Sequence, residues 1–279
     1  MNTKRSFQIK KFIGDRAFYK RYLMLALPMI LQNAITNLVS FLDNIMVGQL
    51  GTEQMSGVAI VNQLIFVYNL AIFGAASAAS IFGAQYFGKG NHEGHMYSFR
   101  FKLYATMFVT ILAITLFITN GENLISLYLT DTAGTGATDV ALRYGKQYLS
   151  IMLIGLVPFA VTQSYATNIK ETGQTFVPMA ASFVAVGSNA VLDYLLIFGI
   201  GPFPKLGVMG AALATILARY IEAAIIVIWA HTHKEKNKYL AGAYRGFGMP
   251  MGEFKAILIK GFPLMLNELL WAAGMTAVT

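Results

Sequence analysis

The sequence predicts an all-α polytopic membrane helix bundle, and three observations carry that expectation. Of 279 residues, 56% are hydrophobic and only 12% are charged, with a mean hydropathy of +0.56. Soluble domains carry about 25% charged residues, so a chain with half that share lacks the polar surface to stay in water. The apolar residues gather into seven runs, each long enough for the roughly 20 residues a helix needs to cross a bilayer. The runs are continuous rather than alternating, which argues against the strands of a membrane barrel.

In chain order, residues 1–21 form a basic leader, with no cleavable signal peptide visible. Ile9, Phe12 and Ile13 fall at i, i+3 and i+4, which fits a short interfacial helix on the cytoplasmic leaflet; a plain basic leader is the equal alternative. The apolar runs follow at roughly 22–46, 57–86, 102–120, 146–167, 178–200, 207–231 and 255–279. Pro28 near the start of the first run can kink its helix and act as a hinge. The second run carries small residues from Gly74 to Ser80, which let helix backbones approach closely. The expected domain organisation is the leader 1–21, a six-helix lobe 22–231, a linker 232–254 and the start of a second lobe at 255–279.

The net charge of +8 is a topology signal and not a nucleic-acid patch. Lys and Arg gather in the leader and in alternate connections, as at Lys89, Arg100 and Lys102, at Lys170, and from Lys234 to Lys260. Seventeen lie on that side; Arg143, Lys146 and Lys205 lie on the other. That bias sets the N-terminus in the cytoplasm and makes the chain a multi-pass protein of the inner or plasma membrane. There is no cysteine, hence no disulfide or thiolate chemistry. His92, His95, His231 and His233 read as solvated loop histidines without a matching metal-ligand set.

A repeat supports the helix count. Leu27-Pro28-Met29-Ile30-Leu31-Gln32-Asn33 and Phe262-Pro263-Leu264-Met265-Leu266-Asn267-Glu268 each open an apolar run with proline, apolar residues and a polar pair. Six helices separate the copies, an even number that keeps them in the same orientation. The sequence stops at Thr279 inside the seventh run, so it reads as part of a product of about twelve helices whose second lobe is missing.

Five ionisable residues lie in the runs: Asp43, Asp193, Arg219, Glu222 and Glu268. Intramembrane charge is costly, and each is a functional candidate by default. Asn189 and Asp193 share a helix face at i, i+4. Carboxylate and amide oxygens suit a proton or a hard cation such as sodium, so Asp43, Asn189 and Asp193 are the expected cation set, with a buried structural aspartate as the bland alternative. Arg219 and Glu222, three apart, are expected to pair with each other.

Three stretches carry a family resemblance: Gly173 to Met179, Asn189 to Gly199 (NAVLDYLLIFG) and Gly207 to Thr215 (GVMGAALAT). With the first run and its sequel Met46 to Gly51, they resemble the multidrug and toxin extrusion family over essentially the whole chain. The resemblance implies a six-helix repeat of a twelve-helix transporter, an antiporter with a central cavity between two lobes. It implies that Asp43, Asn189 and Asp193 take part in proton or sodium coupling, and that the positions of Ala211 and Thr215 complete an ion site in some members. Some members use a glutamate of the seventh helix; Glu268 stands about one turn earlier than its expected spacing from the proline. The expected substrates are small, often cationic, organic molecules, the partners are substrate and membrane lipid, and no cofactor beyond the coupling ion is expected. A flippase for lipid-linked or polymer substrates is the alternative with the same architecture. No HExxH, P-loop, thiol or nucleophile–base pair speaks for an enzyme.

Overall fold

The computed structural model describes residues 15–129, 136–245 and 248–278. Eight α-helices are found among them: α1 Arg16–Gly48, α2 Thr52–Gly88, α3 His92–Ser126, α4 Ala137–Met152, α5 Leu156–Glu171, α6 Phe176–Phe198, α7 Val208–Thr232 and α8 Met251–Val278. A 3-10 turn, Leu153–Gly155, joins α4 to α5 within one span. Six spans among the described residues are long and apolar enough to cross a membrane, α4–α5 counting as one. The seventh apolar run falls in α8, several of whose side chains lie outside the described residues, as does the leader up to residue 14 with Ile9, Phe12 and Ile13.

The helices run past the apolar segments at most ends. The second run, read as 57–86, is a helix from Thr52 to Gly88, and the third, read as 102–120, runs from His92 to Ser126. Hydropathy marks the hydrocarbon core, whereas backbone hydrogen bonding continues into the headgroup region where charged side chains reach water. Local caps set the true ends: Asp15 accepts from the Phe18 amide at 2.7 Å, and Asn91 from the Gly94 amide at 2.9 Å. At the far end of α6, Gly199 takes φ +71°, a left-handed stop that suits glycine.

The fourth run, read as one continuous helix, is broken at Leu153–Gly155. Pro158 has no N–H to offer the carbonyl of Ile154 four residues back, so the α ladder is interrupted there. Neighbours take up the loosened backbone. Arg219 Nη1 donates to the Gly155 carbonyl at 3.1 Å, and the Tyr68 hydroxyl to the Leu156 carbonyl at 2.9 Å.

Small residues decide where helices touch. A Cβ on Gly57 would lie 2.4 Å from the Ala141 carbonyl oxygen, so α2 and α4 cross backbone to backbone. A Cβ on Gly261 would meet the Ala78 side chain at 2.4 Å, which makes the small-residue run of α2 the seat of α8. The main core joins α1 to α7 around Val61, Ile65, Tyr68, Leu156 and Ile216. Large side chains such as Phe108, Ile118, Ile228 and Ile259 point outward, the lipid-facing surface of a membrane bundle.

A second cluster lies at the end of the bundle where the chain begins, and it corrects part of the sequence reading. Arg100 and Lys102, counted above as loop cations, lie inside α3 and are buried. Arg100 donates to the carbonyls of Ala243 (2.8 Å), Gly248 (2.6 Å), Gly242 (2.7 Å) and Arg245 (2.9 Å), pinning the α7–α8 connection onto α3. Lys102 Nζ pairs with Glu171 and also donates to the Asn168 side-chain oxygen. His95, expected in solvent, is 1% exposed, with Nε2 3.2 Å from Glu171 Oε2 and its ring against Tyr239. Charge so far inside a helix survives because each group has partners. His231 is half-buried in α7 and stacks on Tyr244, whereas His92 and His233 are exposed, as expected, with His233 stacked on Trp229.

Candidate functional site

At the opposite half of the bundle, α1 and α6 bring two carboxyl groups together. Asp43 lies 5 residues before the last residue of α1, Gly48, and Asp193 five before that of α6, Phe198. The two side chains interact directly with one another. Both oxygens of Asp193 and Oδ1 of Asp43 are buried without a hydrogen-bond partner. Asn189, one turn before Asp193, acts on the same carboxyl, and its own Nδ2 is likewise unpartnered. Buried polar atoms are nearly always satisfied, and a carboxylate pair with an amide beside it can take a proton, which relieves the repulsion of two like charges, or a cation.

Asp43 lines a cavity of about 410 Å³, within the size range of small-molecule sites. Asp193 and Asn189 are not among its lining residues. Its other polar walls are Asn62, Gln63 and Asn69 from α2, Tyr148 from α4, and Thr215 and Arg219 from α7. Tyr148 donates to the Asn62 side-chain oxygen at 3.2 Å. The Asn69 side-chain oxygen is buried and unpartnered.

The expected residues distribute as follows. Asp43 and Thr215 line the cavity, while Asp193 and Asn189 lie on α6, Asp193 beside Asp43. Ala211 is buried in the core beneath, and its carbonyl already accepts from the Thr215 hydroxyl at 3.0 Å. Pro28 lies inside the continuous α1, one turn before Gln32, whose amide donates to Ser182 on α6 at 2.6 Å. Glu268 belongs to α8, and its side chain lies outside the described residues.

The expected Arg219–Glu222 pair is not formed. Arg219 turns to the Gly155 carbonyl and stacks 5.0 Å over the Phe159 ring, while Glu222 accepts from Ser182 at 2.5 Å. The guanidinium points to the Gly155 carbonyl on the neighbouring segment and to the Phe159 ring instead of to its own helix. Tyr148, Asn62 and Asn69 were not singled out from sequence. The signal available was the polar trio Asn62, Gln63 and Asn69 within an apolar run, on the rule that polar residues in a span face a cavity.

The MatE family profile matches residues 28–195. Among relatives, a probable multidrug resistance protein NorM of Thermotoga maritima is 27% identical over 269 residues, covering 92% of this chain and 53% of that protein. Its namesake in Halalkalibacterium halodurans is 26% identical, covering 93% and 55%. The chain thus spans about half the length of the relatives it matches. Among solved structures, a MOP-superfamily transporter of Pyrococcus furiosus, reported with a binding pocket of reversed polarity that suggests a different function, superposes with a TM-score of 0.78 at 22% identity, covering 92% of this chain and 54% of that one. An outward-facing multidrug resistance MATE transporter gives the same score, identity and coverage. With a profile match over more than half its length, and with this fold, the chain belongs to the MatE family.

Proposed function

We propose that this chain forms the first lobe of a secondary active antiporter that exports small, often cationic, organic molecules in exchange for protons or sodium ions. The observation that carries the reading is Asp193, buried with both carboxyl oxygens lacking a hydrogen-bond partner, beside Asp43, which lines a polar cavity and has one buried oxygen without a partner. A carboxylate there holds a proton, a sodium ion or a cationic substrate, but not two of them well. Each ligand shifts an alternating-access equilibrium only by its differential affinity for the two states, and competition for one site turns that shift into exchange. Asn189 and the Thr215 hydroxyl are further oxygen ligands on this reading, with Ala211 supporting Thr215, and Glu268 is a candidate on α8.

Pro28 is the hinge: its missing N–H loosens α1 between the leader and Asp43, so bending there moves Asp43 relative to Asp193. The N-terminus lies in the cytoplasm, the membrane is the inner or plasma membrane, and a second lobe closes the cavity. The test is Asp193→Asn in cells that depend on the protein for drug efflux. Efflux is abolished while the protein remains in the membrane; full efflux by the variant sinks the reading.

A further inference from the structure

The outward face of α7 runs into a basic cavity at the end of the bundle where the chain begins. Leu217, Tyr220, Ala224 and Ile228 are exposed, and their spacing of three and four residues sets them on one stripe. Thr215 and Arg219, which line the central cavity, fall on the opposite face, so the stripe looks away from that cavity and into lipid. Leu217 and Ile228 are 11 residues apart, about 16 Å of helix and close to the depth of one leaflet. Three residues further on, the stripe reaches His231. Trp229 stacks on His233 there, and Tyr244 on His231; rings with a polar tip collect at the headgroup level of a membrane.

His231 opens a cavity of about 660 Å³ whose charged walls are Lys234 and Arg245, with Gly242 and Tyr244 beside them and no carboxylate among its lining residues. Lys234 and Arg245 are exposed and form no ion pair among the described residues. The acids of the same connection are turned elsewhere: Glu235 lines a neighbouring cavity, and Glu253 accepts from Tyr86. Arg100 adds a third positive charge from behind. It is 5% exposed, and its four hydrogen bonds all go to carbonyls, two of them those of Gly242 and Arg245 in the cavity wall. Carbonyls satisfy its donors without neutralising its charge, so its field reaches the cavity. His231 directs Nδ1–H to the Val227 carbonyl at 2.9 Å and keeps Nε2 for a ligand.

We infer that this cavity binds the headgroup of an anionic phospholipid from the leaflet on the side where the chain begins. The phosphate sits between Lys234 and Arg245, whose guanidinium fork matches phosphate oxygens. The acyl chains lie along Leu217, Tyr220 and Ile228. Basic pockets at the cytoplasmic ends of membrane helices take such headgroups. The apolar stripe leading into the cavity is what selects a lipid over a soluble anion, which gains nothing from it. A lipid held there braces the α7–α8 connection from outside, where Arg100 holds it from within. The site stands apart from the antiport reading and shares with it only the cytoplasmic placement of this end of the bundle.

The test uses the natural protein, purified in detergent and stripped of lipid. Phosphatidylglycerol, phosphatidylcholine with the same chains, or inorganic phosphate is added; bound lipid is counted by native mass spectrometry and thermal unfolding is followed alongside. Phosphatidylglycerol is expected to bind about 10-fold or more tightly than phosphatidylcholine. Lys234→Gln with Arg245→Gln brings the two lipids level. Lys146→Gln with Lys205→Gln, which removes the same charge at the other end of the bundle, leaves the preference as in wild type. Equal binding of the two lipids by wild type overturns the inference. So does an equal loss of preference in both double variants, which leaves only the general attraction of a basic protein for anionic lipid. Inorganic phosphate that raises the unfolding temperature as much as phosphatidylglycerol overturns it in favour of a soluble ligand. Should the first double variant not be recovered, Lys234→Gln alone, at an exposed position, is expected to lower the preference about 5-fold, and an unchanged preference overturns the inference.

Discussion

The two polar regions of this bundle use buried charge in opposite ways. At the end where the chain begins, Arg100, Lys102, His95 and Glu171 are buried and every one has a partner. In the other half, Asp193 and Asn189 are buried and Asp43 half-buried, and all three leave oxygen or nitrogen atoms without one. The cost of removing a charge from water is of order several kcal/mol per ion in either place. In the first region partners offset it and the result is rigidity: four carbonyls of the α7–α8 connection are tied to one guanidinium. In the second it is left standing, to be relieved by whatever binds. The presence of a charge inside a span therefore does not by itself mark a site; the absence of its partner does.

Substitutions can break or sharpen this contrast. The largest effect on stability is expected at Lys102. Lys102→Met leaves Glu171 buried beside only His95, and losing one partner of a buried pair costs about 3–5 kcal/mol. Thermal unfolding of the purified protein should fall accordingly, and Lys102→Met with Glu171→Gln together should recover much of the loss. If the double variant is no more stable than the single, the pair is not the source of the stability.

Arg100→Ala comes next. It strands four carbonyls, and with buried charged hydrogen bonds near 1.5–3 kcal/mol each before solvent replaces some of them, a net loss of about 2–4 kcal/mol is expected. Limited proteolysis at the α7–α8 connection should accelerate. Protection equal to wild type would mean that the connection is held by something else.

Asp193→Asn should change stability by less than about 1 kcal/mol, or raise it, since it removes a charge whose burial is uncompensated. The same variant is expected to lose transport. A loss of stability as large as that of Lys102→Met would place Asp193 with the structural charges and dissolve the contrast. The smallest effect is expected at the exposed Lys146–Glu122 pair, 2.5 Å apart on the surface of α3 and α4; Lys146→Gln should shift unfolding by no more than about 0.5 kcal/mol.

Much of this was legible in the sequence, for definite reasons. Hydropathy located the spans because a bilayer imposes one length on every helix. The i, i+4 spacing put Asn189 and Asp193 on one face of α6, where the structure has them. Other features needed contacts that no local pattern records. Asp43 and Asp193 are 150 residues apart in sequence, and their meeting depends on how α1 lies against α6. Arg100 and Lys102 were read as loop cations because a lysine beside an apolar run ordinarily reaches solvent, and only Glu171 and Asn168 on α5 reveal otherwise. Arg219 misled for a similar reason: its helical neighbour Glu222 was the obvious partner, but the acceptor it takes is the Gly155 carbonyl of a distant segment.

The central claim is that the Asp43–Asp193 pair links cation movement to export. Its most direct test is to add substrate to vesicles carrying the natural protein, and to record proton and sodium movement with ion-sensitive dyes, for wild type and Asp193→Asn. The account predicts that substrate drives one of the two cations in the opposite direction in wild type, and that the variant shows no such movement. Substrate-driven cation movement at the wild-type rate in Asp193→Asn would contradict it.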